Sequence, residues 1–437
     1  MIESIKSILL DFQEFELVTG VPRRLPIEAV SGKATVCIGV RRSGKSTYLF
    51  RVIQRLVDSG VPRENILYLN FFDDRLHNLQ QEGLGLITEA YYSLYPEKKG
   101  TETVYCFFDE IQAVAGWEPF VDRLMRTERC EVTITGSSAQ MLSWEIATQM
   151  RGRALSWELF PFSFREFLDY KGIESTGPLS TKRRLLVQKA FGAYWETGGF
   201  PEVAGLDRRL RVKSHQEYFR AILFRDLVER HDVSHPKALK DLAHRLVDNI
   251  SSLYSVNSLT GYLKSLGHKA PKSAVSNYLD WFEDAYFLFT VRIFDASLAR
   301  SRTNPKKIYC IDHGLVTSVS SGILVNSGHL LENIVFIALR RVCPEVYYHK
   351  TKGGLEVDFV AQVQDRSRML VQVCESMAEP QTRKREVTAL GQAMVELGLK
   401  AGTIVTGREE EQIKVAGGKI EVVPIWRFLL NLPESQP

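Results

Sequence analysis

The chain has 437 residues, of which 44% are hydrophobic and 25% are charged, and its formal net charge is +4. This length suggests about three domains, and the composition is ordinary for a globular protein. No apolar stretch is long enough to span a bilayer, which excludes an integral membrane helix. The mild net charge permits a nucleic-acid partner without arguing for one.

The six cysteines are scattered along the chain, and no two of them form a CxxC pair. Several lie in apolar runs, which indicates reduced core thiols in a cytoplasmic protein rather than a disulfide or zinc framework. The N-terminus carries acidic residues and lacks a long apolar segment. We therefore expect neither a signal peptide nor a membrane partner.

A phosphate-binding loop is the first motif in chain order. Residues 39–46 read GVRRSGKS, with a short apolar run predicting a strand before them and helical spacing predicting a helix after them. In this context backbone N–H groups cradle phosphates. Lys45 would reach the β- and γ-phosphates of ATP, and the Ser46 hydroxyl would ligate Mg²⁺. The predicted nucleotide contacts are Gly39, Arg41, Arg42, Ser43, Gly44, Lys45, Ser46 and Thr47.

A second apolar run, at 104–108, ends in the acids Asp109 and Glu110. This is the Walker B arrangement of P-loop enzymes. Asp109 would hold Mg²⁺ directly or through water, while Glu110 would orient and deprotonate the attacking water. An acid pair at a strand end is often only a solvated turn, but its combination with the phosphate-binding loop favours the catalytic interpretation.

The strand predicted at 132–136 is followed by small polar residues. In P-loop ATPases with an additional strand, a polar side chain at this point senses the γ-phosphate, and Ser137 or Thr135 fits that role. The alternative for Ser137 is a helix N-cap, and the two roles are compatible. Beyond this strand, Arg151 or Arg153 could stabilise transition-state charge on the same or a neighbouring subunit. A surface arginine without a role is the alternative.

The stretch from about 239 to 295 predicts three helices and then a β-hairpin, the layout of a winged helix. Its third helix, at 272–282, could enter the major groove of DNA. The residues near the leading end of that helix are Lys269, Lys272, Ser273, Ser276 and Asn277. Asp280, Glu283 and Asp284 further along oppose phosphate, so a helical packing module without nucleic acid is the alternative.

The C-terminal part predicts a helix, strands, a helix and a strand, the order of restriction-endonuclease-like folds. Such nucleases need an Asp, then an acid or Gln, and then a Lys two residues later. Asp358 fits the first place and Gln372 the second, with Glu332 as a candidate further acid, but Cys374 stands at the place of the Lys. Cysteine is neither a cation nor a ligand for hard metals, so we expect no nuclease activity.

Taken together, the chain resembles the prokaryotic P-loop ATPases of the AAA+ superfamily that pair an ATPase core with a C-terminal domain of uncharacterised function. The motifs that carry the resemblance are the phosphate-binding loop, Phe108 to Gln112 with Gly116 and Trp117, Thr135 to Ser138, Gly152 and Arg153, Pro161 to Phe167, Gly198 to Pro201, Arg225 and Asp226, and Glu356 to Phe359. The resemblance covers nearly the whole chain and favours Arg153 over Arg151. Members typically have Lys near the position of Cys374. This chain departs from the family there, which argues against a nuclease role.

This resemblance implies an α/β protein in three parts. A P-loop AAA+-type ATPase domain with a parallel-sheet core would span 1–170, a helical and winged-helix region 171–300, and a restriction-endonuclease-like α/β domain 301–437. We expect an ATPase that requires ATP and Mg²⁺ and acts on DNA, with branched DNA as one candidate. The catalytic residues would be Glu110, Lys45, Ser137 and Arg153, and the metal ligands Ser46 and Asp109.

Two other functions stay open. If Arg153 completes a neighbour's site, the protein is a homo-oligomer, and a nucleotide-controlled switch could drive protein–protein assembly without any DNA. A small-molecule kinase would place several arginines in a lid near the nucleotide, and nothing in the sequence singles out such a lid.

Overall fold

The computed structural model describes residues 1–25, 27–139, 148, 150–323, 326–362 and 367–433. Contacts divide the chain into two compact units, Met1–Phe160 and Pro161–Pro437. The predicted three-part division, with boundaries at 170 and 300, stays a prediction. Within the described ranges, no helix combines the length and the hydropathy needed to cross a bilayer.

The first unit contains a sheet of five parallel strands among its described residues. The strands are β1 (Ala34–Ile38), β2 (Ile66–Asn70), β3 (Val104–Asp109), β4 (Cys130–Gly136) and β5 (Ala154–Glu158), in the order β2-β3-β4-β1-β5. The helices are α1 (Ile2–Glu14), α2 (Lys45–Asp58), α3 (Leu79–Glu82), α4 (Leu86–Leu94) and α5 (Trp117–Thr127). All of β1 is buried, as expected for an apolar strand inside a parallel sheet that is covered on both faces.

The order of the strands brings three predicted motifs together. Because β1, β3 and β4 are parallel neighbours, their carboxyl ends lie at one edge of the sheet, where open α/β sheets bind ligands. The phosphate-binding loop follows β1, the two acids end β3, and Ser137 follows β4. Strand β4 lies between β1 and β3, which is the additional strand that the sequence predicted.

The second unit begins with helices. They are α6 (Phe164–Tyr170), α7 (Thr181–Thr197), α8 (Arg208–Ala221), a π-helical segment (Ile222–Glu229), α9 (Pro236–Val247), α10 (Val256–Ser265), α11 (Lys272–Asp284), α12 (Leu298–Thr303), α13 (His313–Val319) and α14 (Ser327–Val342). Helix α6 starts with a capping box, in which the Ser163 hydroxyl accepts from the Glu166 N–H and the Glu166 carboxylate accepts from the Ser163 N–H. Such reciprocal bonds satisfy two N–H groups that the helix itself leaves unpaired.

A small antiparallel sheet accompanies α9, α10 and α11. Its strands are β6 (Leu253–Tyr254), β7 (Leu288–Val291) and β8 (Lys306–Cys310), in the order β6-β8-β7. The sequence predicted that the chain turns back directly after β7. Instead Ile293 forms a bridge with Tyr348, and the chain passes through α12 before β8 returns to pair with β7. Strand β8 therefore lies beyond residue 300 in sequence but belongs to this sheet.

The remaining strands form a mixed sheet. They are β9 (Glu345–Lys350), β10 (Glu356–Gln362), β11 (Arg368–Val373), β12 (Ala401–Thr406), β13 (Glu411–Val415) and β14 (Gly418–Pro424), in the order β13-β14-β12-β11-β10-β9. Helices α15 (Pro380–Leu397) and α16 (Ile425–Asn431) complete the described part of the unit. Apolar side chains of α15, including Leu390 and Met394, pack on Val360 and Ile404 of the sheet to form its core. The register between β10 and β9 shifts between Val357 and Val360.

Candidate functional site

Glycine shapes the phosphate-binding loop at both of its ends. A Cβ atom on Gly39 would lie 2.1 Å from the backbone oxygen of Leu159, so no larger residue fits there without displacing the backbone. Gly44 precedes α2 with φ +97°, a conformation that favours glycine. Between them, Ser43 is fully buried, and its Oγ has no hydrogen-bond partner in the part of the chain that the structure describes. A buried hydroxyl without a partner is uncommon and fits a site made for a polar ligand.

Lys45 begins α2 and is 4% exposed. Its Nζ donates to the carbonyl oxygens of Gly39 at 3.0 Å and Val40 at 3.3 Å, and it lies 3.4 Å from Oε1 of Glu110. The ammonium is thus held over the loop by two neutral acceptors and one carboxylate. Since a buried cation favours a nearby anion strongly, this arrangement suits a phosphate that would bind in the loop.

The other predicted loop contacts lie around this lysine. The guanidinium of Arg41 lies 5.6 Å from the centre of the Phe72 ring. Arg42 is exposed and has φ +69°. Ser46 and Thr47 are half-buried in the first turn of α2. Both hydroxyls therefore lie on the helix N-terminus, where N–H groups and the helix dipole favour negative charge.

Asp109 ends β3 and is completely buried. Its Oδ2 accepts a hydrogen bond from the Tyr68 hydroxyl at 3.0 Å, and its Oδ1 accepts one from the Thr135 hydroxyl. Burial and the Asp109 carboxylate both raise the pKa of Tyr68, so this phenol remains a donor. Two donors thereby fix the orientation of the Asp109 carboxylate.

Glu110 follows with φ +55°, an uncommon conformation for a residue other than glycine. Its backbone N–H donates to the Thr135 hydroxyl at 3.0 Å, and Gln112 Nε2 donates to Oε2 at 2.5 Å and to the Ser137 Oγ at 3.3 Å. Burial by itself raises the pKa of Glu110, but Lys45 and the Gln112 hydrogen bond hold that pKa below its ordinary value of 4.5. Glu110 is therefore a carboxylate at neutral pH.

Oxygen donors at this end of the sheet suit a magnesium–nucleotide complex. The Ser46 hydroxyl and the Asp109 carboxylate are the hard oxygen ligands that Mg²⁺ prefers, and the buried Ser43 hydroxyl lacks a hydrogen-bond partner among the described residues. The side chains present therefore fit the ATP and Mg²⁺ that the sequence predicted.

Arg153 lies at the amino ends of the strands, opposite the phosphate-binding loop. It immediately precedes β5, and its carbonyl accepts from the Ala34 N–H at the start of β1. A strand of this length spans about 16 Å, so Arg153 does not reach the loop at the far end of β1 in its own chain. Its guanidinium lies 3.5 Å from Asp122 on α5. Arg151 is exposed with φ +49°.

Three residues that contact the predicted ones had been given no role by the sequence, and neither had Tyr48, which contacts the segment before β1. Tyr68 and Gln112 hold Asp109 and Glu110, as described above. Arg23 donates to the carbonyl oxygens of Ser43 at 2.7 Å and Phe160 at 2.5 Å, and the Tyr48 hydroxyl donates to Leu25 O at 3.3 Å. The segment that contains Arg23 precedes β1 and carries no motif, so only the three-dimensional contacts reveal it.

The C-terminal candidates also come together. The Asp358 N–H donates to Gln372 Oε1 at 3.2 Å, and the Gln372 amide donates to Glu386 at 2.7 Å. The Cys374 thiol lies 3.0 Å from the carbonyl of Ser376. At the predicted DNA helix α11, all five of the residues near its leading end are exposed: Lys269, Lys272, Ser273, Ser276 and Asn277.

Known proteins share the domains of this chain. A family model described as an AAA domain matches residues 31–168, and models of two domains of unknown function, DUF8612 and DUF4143, match residues 188–323 and 327–428. The uncharacterized protein MJ1544 of Methanocaldococcus jannaschii is 33% identical over 421 residues, which cover 94% of this chain and 91% of that protein.

An uncharacterized protein of Haemophilus influenzae is 31% identical over 398 residues, which cover 91% of this chain and 94% of that protein. Among solved structures, the Aeropyrum pernix ORC1 protein in complex with DNA is similar, with a TM-score of 0.32 and 13% identity over 73% of this chain and 92% of that one. A TM-score this low adds nothing to the sequence matches, which stand on their own.

Proposed function

Because the chain belongs to the family of AAA-domain proteins that includes MJ1544 of Methanocaldococcus jannaschii, we propose that it binds ATP with Mg²⁺ and hydrolyses it at the edge of the first sheet. One observation carries this proposal. The buried Lys45 ammonium, the Glu110 carboxylate 3.4 Å away and the fixed Asp109 carboxylate converge beside a loop that has no space for side chains at Gly39.

Each of these residues would have a separate task. Loop N–H groups and Lys45 would bind the β- and γ-phosphates, and Lys45 would exchange its contact with Glu110 for one with phosphate. Ser46 and Asp109 would hold Mg²⁺, which neutralises phosphate charge when bound. Glu110, ionised at neutral pH, would orient the attacking water and accept its proton. Ser137, or Thr135 beside it, would contact the γ-phosphate.

Arg153 would act on a neighbouring subunit. Its place at the far edge of the sheet separates it from the loop of its own chain by about the length of a strand. A guanidinium supplied in trans can stabilise the charge of the transferred phosphoryl group. We therefore propose a homo-oligomer in which Arg153 completes the next site.

Steady-state ATP hydrolysis tests the site. Glu110→Gln should bind ATP but turn it over about 10²–10⁴-fold more slowly, the usual contribution of a positioned base. Glu131→Gln is a matched control, because Glu131 is exposed at the start of β4. Normal turnover by Glu110→Gln would refute the assignment.

Subunit mixing tests the arginine. Lys45→Met and Arg153→Ala should each be nearly inactive alone, whereas a mixture should recover turnover, because some interfaces then combine an intact loop with an intact Arg153. Arg151→Ala should remain active. A mixture as inactive as its components would contradict action in trans.

We further propose that α9, β6, α10, α11, β7 and β8 form a winged helix that binds DNA. Support comes from the order of these elements and from the exposure of Lys269, Lys272, Ser273, Ser276 and Asn277 at the start of α11. Two lysines and three small polar side chains at a helix N-terminus can contact phosphates and base edges.

Of the three acids on α11 that could repel DNA phosphates, Glu283 and Asp284 are bonded to neighbouring groups of the protein. Asp284 is 7% exposed and lies 3.5 Å from a guanidinium nitrogen of Arg230. Glu283 accepts from the Thr290 N–H at 2.6 Å, and its burial raises its pKa above the ordinary value. Asp280 is exposed on the helix. Two of the three acids therefore do little to repel phosphate.

DNA binding can be measured with duplex, single-stranded and four-way-junction DNA over a series of salt concentrations. Lys269→Ala/Lys272→Ala should lower affinity and reduce the slope of log K against log salt by about 2, since each phosphate contact contributes about 0.9. Lys237→Ala/Lys240→Ala, which removes two exposed lysines of α9, is the control. No binding of any DNA at low salt would refute this proposal while leaving ATP hydrolysis intact.

The second candidate function is an assembly switch. The position of Arg153 favours it, because a site completed in trans couples nucleotide binding to subunit contact. This proposal expects the mass in solution to rise with ATP and to fall with ADP, whether or not DNA is present. An unchanged mass would refute the switch.

A further inference from the structure

In the second unit, Lys307 on β8 lies among three carboxylates. Its Nζ is 2.9 Å from Oε1 of Glu332, 2.8 Å from Oε1 of Glu356 and 2.8 Å from Oδ1 of Asp358. Lys307 is 3% exposed. The ammonium donates hydrogen bonds to Glu332 and Asp358 and forms an ion pair with Glu356.

Further hydrogen bonds hold the carboxylates in place. The Tyr309 hydroxyl, fully buried, donates to the same oxygen of Glu332 at 2.7 Å. The other oxygen of Asp358 accepts from the Val373 N–H at 2.9 Å. Glu356 and Asp358 are two residues apart on β10, so they point to the same face of the sheet.

Restriction-endonuclease-like folds, which we propose for this sheet, imply a divalent cation held by an acid at the place of Asp358. The residues present do not fit such a cation. The Lys307 ammonium already lies within hydrogen-bond distance of the three acids that would surround it. The side chains of Gln372 and Cys374 are engaged with Glu386 and with the Ser376 carbonyl. With Lys307 in place, no group of three or more His, Cys, Asp or Glu side chains within the described ranges is arranged to hold a metal.

We propose that Lys307 permanently replaces the divalent cation of this carboxylate cluster, so that the fold is complete without metal. Without the ammonium, Glu332, Glu356 and Asp358 would form a group of hard oxygen donors in a buried place, which is the chemistry that Mg²⁺ or Mn²⁺ binds. Removal of the lysine side chain should therefore create a divalent-cation site. This inference does not depend on ATP hydrolysis, since its residues belong to the other unit.

The test measures Mn²⁺ binding to the nucleotide-free full chain, by the electron paramagnetic resonance signal of free Mn²⁺. Wild type and Asp358→Asn should bind the same amount. Lys307→Met should bind one further Mn²⁺ per chain, and Lys307→Met/Asp358→Asn should lose it. The Tm of Lys307→Met should rise with Mn²⁺ concentration, as expected for a ligand that binds only the folded state.

Lys307→Arg keeps a cation in the cluster and should bind no additional Mn²⁺. The proposal is overturned if wild type binds Mn²⁺ that Asp358→Asn does not, or if folded Lys307→Met binds no more than wild type. If Lys307→Met does not fold even with Mn²⁺, the wild-type and Asp358→Asn pair still decides, because equal binding supports the replacement and unequal binding refutes it.

Discussion

Two buried lysines of this chain have opposite surroundings. Lys45 is 4% exposed and has one carboxylate at 3.4 Å with two carbonyl oxygens, whereas Lys307 is 3% exposed and has three carboxylates within 2.9 Å. Burial alone lowers the pKa of Lys307, but the surrounding anions outweigh it and raise that pKa well above the ordinary value. Lys45 lacks a full set of anionic partners and can accept phosphate, whereas the protein itself supplies the anionic partners of Lys307.

Burial therefore does not by itself make a lysine functional. A buried charge must be compensated, and the identity of its partners decides whether the compensation is complete in the protein or awaits a ligand. Lys45 has one carboxylate partner, Glu110, and two neutral carbonyl acceptors that a phosphate can displace. Lys307 is held by fixed carboxylates that no incoming anion can replace.

Loss of the Lys307 ammonium should reduce stability more than loss of the Lys45 ammonium. Lys307→Met should lower the free energy of unfolding by about 3–5 kcal/mol, because it leaves buried carboxylates without their counter-ion. Urea denaturation in the absence of divalent cations measures this change. ATP turnover per folded molecule should stay normal. A loss below about 1 kcal/mol would show that the two lysines do not differ in this way.

Lys45→Met should have the reverse effect. Turnover of ATP should fall by about 10²–10³-fold or more, the range for losing a donor aimed at developing charge. Stability should change by no more than about 1 kcal/mol, since functional groups are commonly held at the expense of stability. Lys33→Met is the control, because Lys33 is half-buried and the hydrogen bond described for its side chain goes to the Gly152 carbonyl, away from the loop. Equal losses of stability in Lys45→Met and Lys307→Met would contradict the comparison.

A third prediction concerns pH. Burial and the Asp358 carboxylate raise the pKa of Glu332 to about 7, against an ordinary value of 4.5. Between these values the folded state binds more protons than the unfolded state, so stability falls as the pH rises through this window and levels off above it. The contribution is on the order of 3 kcal/mol. Urea denaturation at pH 5 to 8 should show this loss in wild type and a flatter profile in Glu332→Gln.

A profile that rises from pH 5 to pH 8 for wild type, with the same slope in Glu332→Gln, would overturn this prediction. The sign at Glu110 is opposite. The pKa of Glu110 lies below its ordinary value, so its stabilising contribution is present at neutral pH and is lost as the pH falls through the acidic range. The two clusters thus differ in pH response as well as in charge.

The first site could be predicted from sequence because its parts are local. Gly39 to Ser46 is one continuous loop, and Asp109 and Glu110 follow an apolar strand, so spacing and strand ends suffice. The pairing of Thr135 with Asp109 and Glu110 follows from the parallel order of β3 and β4, which the additional strand implied. Gln112 lay inside a quoted motif, but its contact with Ser137 depends on how the chain turns after Glu110.

The second cluster was only half predicted, for a physical reason. Asp358, Gln372 and Glu332 were named because they lie on elements of one expected fold. The sequence pattern placed the cation two residues after Gln372, where Cys374 stands. In the structure the cation is Lys307, which lies on a strand of another sheet. The partners of a buried charge are set by the folded structure and cannot be read from spacing along the chain. The strand β8 itself was misplaced because the chain after β7 pairs with Tyr348 before it returns.

A more modest change in turnover is expected at Gln112, which positions Glu110. Gln112 donates to Glu110 at 2.5 Å and to Ser137 at 3.3 Å, so it holds the proposed base next to the proposed γ-phosphate sensor. Gln112→Ala removes a hydrogen bond to a charged group, worth about 1.5–3 kcal/mol when fully lost. Since Lys45 still holds Glu110, we expect kcat to fall by about tenfold, which corresponds to about 1.4 kcal/mol, with the KM for ATP unchanged.

Gln54→Ala is a matched control for that variant, because Gln54 bonds to Asp58 on the exposed face of α2. Its kcat should equal that of wild type. If Gln112→Ala instead raises kcat, the glutamine restrains Glu110 in a resting orientation that ATP must release, and Ser137, bonded to the same amide, would be the group through which the γ-phosphate acts. If it raises KM alone, Gln112 serves binding, and Glu110 is positioned by Lys45 and its own backbone.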